Sequence, residues 1–288
     1  MLSIDLTGNI SDHMIRYAIC RSVAEKKGYQ WGINSVASHD YFGGKEQMYF
    51  FEDINYGLSI DTPYGQMPDG VNNIWEEKTE HYPDYDYHPY QQDIFDIPDW
   101  TKIVIYCGQD PRYFEKEKIE KWFAIKSEYV QLSEKTLKDN NIELDENLCI
   151  MNARGGEYIG IRSLFLNFDY WQHAMAQMLK INPKMKFAFV TEDPDFYRRY
   201  ASCPVYHFGI ATDYYIVNHA KNLILSNSGF GILPTWTNKN VQNIIAPAYW
   251  SRHNISTGYF PNSDIWRFGL EQGWKWMDRE GGELHDEK

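Results

Sequence analysis

KFAFVTEDPDFYRRYASCPVYHFGIATDYYIVNHAKNLIL, residues 186–225, decides the fold class. It contains three short apolar runs, at 186–190, 205–208 and 223–225, with helical segments predicted between them at 195–200 and 213–220. Short apolar strands alternating with helices describe βα units, in which a parallel sheet is covered on both faces. Working outward, the same rhythm continues. A strand at 148–151 and a helix at 165–179, stopped by Asn182-Pro183, come before this stretch. A helix at 229–236 and a strand at 241–245 come after it.

The N-terminal part is less regular. Residues 4–6 read as a strand, Thr7-Gly8-Asn9 as a turn, and 12–27 as a helix closed by Gly28. The run 102–107, bounded by Gly108, reads as a strand followed by a charged helix through Lys126. Between these, 29–33 and 48–51 are aromatic strand candidates. YPDYDYHPY at 82–90 has no periodicity and reads as an irregular surface loop. The expected division is an N-terminal α/β domain over 1–142, a second α/β domain over 143–260, and a tail over 261–288 whose residues 263–277 form a final helix.

The 288 residues carry 40 acidic and 28 basic side chains, for a net charge of −12. Such a chain has no global attraction for a phosphate polymer, so nucleic acid is excluded as a first expectation, while a few aimed donors still suffice for a small anion. No apolar run reaches the ~18 residues of a spanning helix. The N-terminus lacks a signal pattern. Cys20, Cys107, Cys149 and Cys203 are widely spaced with no CxxC pair, which reads as reduced thiols and a cytoplasmic protein. Aromatic residues reach 16%, yet mean hydropathy is −0.57. Much of that surface is amphipathic Tyr and Trp, densest over 29–100, where flat faces suit sugar rings as well as a core.

In wound parallel sheets, ligands meet the loops that leave the carboxyl ends of strands. Those loops hold Asn152-Ala153-Arg154-Gly155-Gly156-Glu157-Tyr158, Thr191-Glu192-Asp193-Pro194, Gly209 with Asp213, and Ser226-Asn227-Ser228-Gly229-Phe230-Gly231. One Arg, several carboxylates and a small-residue turn opening a helix are an inventory for a nucleotide diphosphate. Arg154 between a strand and two glycines can fork onto phosphate oxygens, or simply sit in a surface turn. The Ser228 turn can present helix N–H groups to phosphate, or act as an ordinary N-cap. Asp84-Tyr85-Asp86 matches a metal-binding DxD pair but does not end an apolar strand. His81 and His88 lack zinc spacing, so no metal site is expected.

Four of these stretches, in order and spacing, resemble the fucosyltransferase superfamily, namely the bacterial α1,2-fucosyltransferases and more distantly the α1,6 enzymes. LTGNISDHMIRYAICRSVAEKKG is similar to their first segment through Gly8, Asn9, Tyr17 and Ala18. NARGGEY keeps the Arg154, Gly156 and Tyr158 of an HxRRGDY motif, with Glu157 for Asp, Asn152 for His and Gly155 for the second Arg. FVTEDPDF keeps Asp193 and Pro194. DYYIVNHAKNLILSNSGFGILPTWTN keeps Asp213, Lys221, Asn227, Ser228, Phe230, Trp236 and Asn238, with Asp213 fifteen residues ahead of Ser228; 231–234 interrupts the family pattern.

The resemblance implies a GT-B fold, two Rossmann-like domains facing across a cleft, with the donor nucleotide in the C-terminal half. It implies a metal-independent inverting transfer of L-fucose from GDP-fucose to a glycan hydroxyl. Arg154 is then expected on the diphosphate, Asp213 on guanine, and Asn227, Ser228, Gly229 and Phe230 around the phosphate, with Gly8, Asn9 and Asp193 also on the donor side. Arg154 and Glu157 are the candidate catalytic pair. Glu157 is the candidate base by its place after Arg154, and equally a turn carboxylate pairing with Arg154 or Arg162. The expected partners are a nucleotide sugar and an oligosaccharide acceptor, selected by 30–145, with no resident cofactor. Another nucleotide sugar, or a binding protein without turnover, remains open on the thinned Arg motif.

Overall fold

The chain starts on a buried strand, β1 (Leu2–Asp5), which turns through Gly8 into helix α1 (Ile10–Lys27). Gly8 takes φ +79, and a Cβ there would strike the Asp12 carboxylate. The reason is the helix start itself. The Asn9 side chain accepts from Ser11 N at 3.1 Å, and Asp12 reaches back to Asn9 N at 3.0 Å, a reciprocal cap. Gly28 closes α1 in the left-handed region. The computed structural model describes all residues except 35–44, 61, 63–65, 83–84, 109, 250–252, 254–272 and 285–288. They form two compact units, Met1–Ile125 and Lys126–Lys288.

The first unit continues through β2 (Trp31–Asn34), β3 (Leu58–Ile60), β4 (Asn73–Glu76), β5 (Glu80–Tyr82), β6 (Tyr85–Tyr87), β7 (Thr101–Val104) and α2 (Lys116–Trp122). Its main sheet has the order β3-β2-β1-β7-β4, and every pairing in it is parallel. β5 and β6 pair antiparallel in the register Tyr82↔Tyr85, so the irregular loop expected over 82–90 is contradicted at Tyr82 and at 85–87, while 88–90 carry no regular structure. Residues 48–51 are not a strand either. Lys45–Met48 is a 3-10 turn, and Phe51 makes a single bridge to Ile125. Beyond β7, the charged segment is split between a 3-10 turn, Pro111–Tyr113, and α2.

Tyr17 organises the aromatic core of this unit. Its ring lies edge-on to Trp31 at 5.5 Å and Trp122 at 6.0 Å. Its hydroxyl accepts from Arg21 Nη1 at 2.6 Å and from Asn55 N at 3.1 Å. Much of the aromatic excess is therefore core, while Tyr49, Trp100 and Tyr106 stay exposed. Two buried charges are fully paired, as burial demands. Lys102 lies 2.8 Å from Asp5 Oδ2. Glu77 accepts three backbone N–H groups, from Tyr106 at 2.8 Å, Cys107 at 2.7 Å and Gly108 at 2.9 Å, and so ties down the loop after β7.

The second unit runs α3 (Ser127–Asp139), β8 (Leu148–Asn152), α4 (Phe168–Ile181), β9 (Lys186–Val190), α5 (Pro194–Arg198), β10 (Val205–Tyr206), α6 (Ile210–His219), β11 (Asn222–Leu225), α7 (Gly229–Trp236), β12 (Asn243–Pro247), β13 (Lys275–Met277) and β14 (Glu283–Leu284). The sheet order is β10-β9-β8-β11-β12-β13-β14, parallel throughout except for β14. Cys149, Met151, Phe187, Phe189 and Ile224 pack with Trp171, Ala174 and Met178 of α4 into a continuous core. All four cysteines are free thiols.

Two sequence expectations shift here. α3 lies before residue 143 yet belongs to the second unit, where it packs on α6 and Ser133 Oγ donates to Thr212 Oγ1 at 3.2 Å. The division therefore falls at 125/126 rather than 142/143. The expected helix over 263–277 is contradicted at its end, because 275–277 form β13 on the open edge of β12, with Ala246 opposite Trp276. Residues 263–272 lie outside the described residues.

Candidate functional site

In the second sheet the chain leaves β8 for β9 and β10 on one side, then returns to β11 on the other. The loops after β8 and β11 consequently part above the carboxyl ends of these strands, which is where wound α/β sheets bind ligands. Asn152 and Leu225 end the two strands opposite each other, and Ser226 N donates to Asn152 O at 3.0 Å. A Cβ at Gly231 would lie 2.8 Å from Asn152 Oδ1, so glycine is what lets the first turn of α7 rest on Asn152. Asn152 itself, where the resembling family has His, is buried and built into the sheet.

Arg154 leaves β8 on a backbone held by Tyr197, whose hydroxyl donates to Arg154 O at 2.8 Å. The next residue must be small, because a Cβ on Gly155 would lie 2.5 Å from that of Asp193. The guanidinium is 14% exposed and spans two carboxylates, with Nη1 on Glu192 Oε1 at 2.6 Å and Nη2 on Glu157 Oε1 at 2.5 Å. It also lies over the Tyr158 ring, 5.2 Å from the centroid.

The two acids differ. Burial pushes the Glu192 carboxyl above its ordinary range, against the pull of Arg154 and the Gly155 N–H. Burial acts the same way on the half-exposed Glu157 but is outweighed by a backbone hydrogen bond and Arg154, so its carboxyl sits below the ordinary range. Burial also works against the charge of Arg154, and the two glutamates more than offset it. Both side chains are about half-exposed, 42% for Glu192 and 52% for Glu157, and Glu192 is additionally tied by the Gly155 N–H at 3.3 Å. Loop sequence alone did not single out Glu192; only the alignment of β8 with β9 brings it to Arg154.

Asp213 lies in the first turn of α6 with its side chain 6% exposed. Oδ1 accepts from Phe208 N at 3.0 Å, and Oδ2 lies 2.7 Å from His207 Nδ1. Burial raises its carboxyl to about 6, moderated by those two partners, while Glu192 adds to the rise through its charge. His207 was not anticipated from the sequence, because nothing in the spacing of a two-residue strand marks the residue after it.

At α7, Ser228 is extended and buried, and its side chain does not cap the helix. Gly231 N and Ile232 N both turn to Ser228 O, leaving the N–H groups of Gly229 and Phe230 at the open helix start. Asn227 Nδ2 donates to Leu164 O at 2.8 Å, and Phe230 meets Tyr214 edge-on at 6.1 Å. Asp193 caps α5 through Phe196 N at 3.4 Å. The structure thus gathers Arg154, Glu157, Asp193, Asn227, Ser228, Gly229 and Phe230 at the ends of three adjacent strands. Asp213 joins them from α6 by way of the charge of Glu192. Gly8 and Asn9 lie in the first unit, where both are used in starting α1.

Among the described residues no group of three His, Cys, Asp or Glu is arranged to hold a metal, and no helix is long and apolar enough to cross a membrane. Asp84 of the DxD match lies outside the described residues.

No family model and no curated protein matches the chain. Solved structures do. POFUT1 in complex with GDP-fucose superposes with a TM-score of 0.51 at 8% identity, covering 85% of this chain and 97% of that one. POFUT1 in complex with GDP gives 0.50 at 10% identity, with 85% and 97% covered. The fucosyltransferase NodZ from Bradyrhizobium gives 0.46 at 14%, with 84% and 94% covered. At such identities the likeness is one of fold. Two parallel α/β units, the second wound as β10-β9-β8-β11-β12-β13, give this chain a GT-B architecture, that of the solved fucosyltransferase POFUT1.

Proposed function

We propose that this protein is a metal-independent, inverting glycosyltransferase that transfers L-fucose from GDP-fucose to a glycan hydroxyl. The observation that carries the reading is the convergence at the β8/β11 switch point of a forked Arg154, the uncapped start of α7 and the buried Asp213. POFUT1, which shares the fold, was solved with GDP-fucose.

Glycosyl transfer must stabilise a leaving diphosphate and take a proton from the acceptor. Arg154 and the N–H groups of Gly229 and Phe230 supply fixed donors for the diphosphate, the arrangement that stabilises developing charge best. The diphosphate displaces Glu157 rather than Glu192, because Glu192 is also held by the Gly155 N–H. Losing Arg154 then releases Glu157 from the cation that holds its carboxyl low, which suits it to accept the acceptor's proton. Asn227 and Ser228 shape the phosphate turn, Asp193 braces the Arg154 loop, and Asp213 reads the base. The first unit takes the glycan. No metal ion is needed where the leaving charge already meets these donors.

Gly155 standing where the resembling family has a second Arg favours one other reading, a sugar-nucleotide-binding protein without turnover; the broad GT-B reading also leaves room for another nucleotide sugar. Thermal shift with GDP, UDP, ADP and CMP, with and without EDTA, separates these. GDP alone should stabilise, and EDTA should make no difference. Release of GDP from GDP-fucose should fall at least roughly 100-fold in Arg154→Ala. Stabilisation by UDP alone, or only with a divalent ion, overturns the donor or the metal-free mechanism. Binding of GDP-fucose with no turnover on any acceptor favours the binding protein.

A further inference from the structure

We propose that His207 is a positioning residue for base recognition: its imidazole and the Phe208 N–H hold the Asp213 carboxylate so that its remaining acceptor positions meet two adjacent N–H donors of a guanine base. This rests on reading the site as one for a guanine nucleotide. A carboxylate has about four acceptor positions on its two oxygens. Here Oδ1 gives one to Phe208 N at 3.0 Å and Oδ2 one to His207 Nδ1 at 2.7 Å, so each oxygen keeps one. Guanine offers N1–H and an N2 amino N–H side by side. Adenine presents an acceptor where guanine has N1–H, and would leave a buried carboxylate oxygen facing a lone pair.

The two clamps are unlike. Phe208 contributes backbone, which no substitution removes, whereas the His207 side chain is 42% exposed over a carboxylate that is 6% exposed. With its proton on Nδ1, the imidazole donates to the carboxylate and favours its ionised form. The other charges around Asp213 are few among the described residues. Glu192, from the loop after β9, opposes ionisation. The neighbouring β8 and α7 carry no charged residue, and α3 meets α6 through Ser133 and through Glu134, whose charge acts on Tyr215 and His219. His207 is therefore the one titratable side chain among them that favours the acceptor state of Asp213. Because the carboxyl titrates near 6, GDP should bind more weakly as pH falls through that value.

The test is calorimetric titration of the full chain with GDP, IDP, ADP and inorganic pyrophosphate between about pH 5 and 8. The wild type should prefer GDP over IDP, and IDP over ADP, by roughly tenfold per mispaired hydrogen bond. In His207→Ala the GDP/ADP preference should fall roughly tenfold. Its pH midpoint for GDP should move upward, while pyrophosphate affinity stays the same. His207→Gln, whose amide still donates, should retain the preference. An unchanged GDP/ADP ratio and midpoint in His207→Ala overturns the inference, and so does an equal loss for pyrophosphate, which marks a general structural defect. A wild type that binds GDP and ADP alike overturns the guanine reading itself, a result distinct from failure of His207 alone.

Discussion

Replacing Asp213 by Asn should make the empty protein more stable and its nucleotide site worse, and the gain should depend on pH. The folded-state carboxyl titrates at about 6 because it is buried. In an unfolded chain an aspartate titrates at about 3.9. Below both values the group is protonated in either state and costs nothing. As pH rises past about 3.9 the unfolded state ionises first, so folding loses stability until about 6 and then levels off. The cost comes to about 1 kcal/mol near pH 4.5 and about 3 kcal/mol near pH 7.5. The amide keeps the contacts, since its oxygen accepts the Phe208 N–H and its nitrogen donates to His207 Nδ1 once the imidazole proton moves to Nε2. The variant's advantage should therefore grow by about 2 kcal/mol across that pH span, or roughly 4–8 °C in Tm. Thermal melts of both proteins at the two pH values measure it, and added GDP should stabilise the wild type but barely the variant. An advantage that does not change with pH, or a variant less stable near neutrality, would refute the claim that burial dominates at this carboxylate.

The remaining tests probe supports of the two units. Gly155→Ala brings a Cβ to 2.5 Å from that of Asp193 and must push the Arg154 loop aside. It should cost about 1–3 kcal/mol in a denaturant melt and weaken GDP more than it weakens folding. Glu77→Ala strips the acceptor from three backbone N–H groups at 106–108 and should destabilise the first unit by about 3 kcal/mol, seen as faster amide exchange of that loop. A loop that exchanges no faster would mean that water replaces the carboxylate without loss.

The candidate site was legible in part. Arg154, Asp213 and the Ser228 turn stood out because each follows a buried strand in a sequence whose period marks that strand plainly. Glu157 was visible in two roles, and the fold pairs it with Arg154. Glu192 and His207 were not singled out, since each gains its role from a residue on another element: Glu192 through the pairing of β8 with β9, His207 through the return of α6 to the end of β10. The pairing of β5 with β6 and strand β13 were misread for a related reason. Cross-strand hydrogen bonds created them, and neither segment advertises them locally.

The sequence by itself determined the second unit's βα rhythm, the close of α1 at Gly28, and the loops in which charge collects. Those features depend on residues a few positions apart, within reach of helix periods and turn chemistry. Tertiary structure alone decided the strand order that splits the chain at β8, the transfer of α3 to the second unit, and the protonation landscape of the site. A carboxylate's charge state depends on what surrounds it: at Asp213 burial, and at Glu192 the charge of Arg154, come from elements that only the fold brings there.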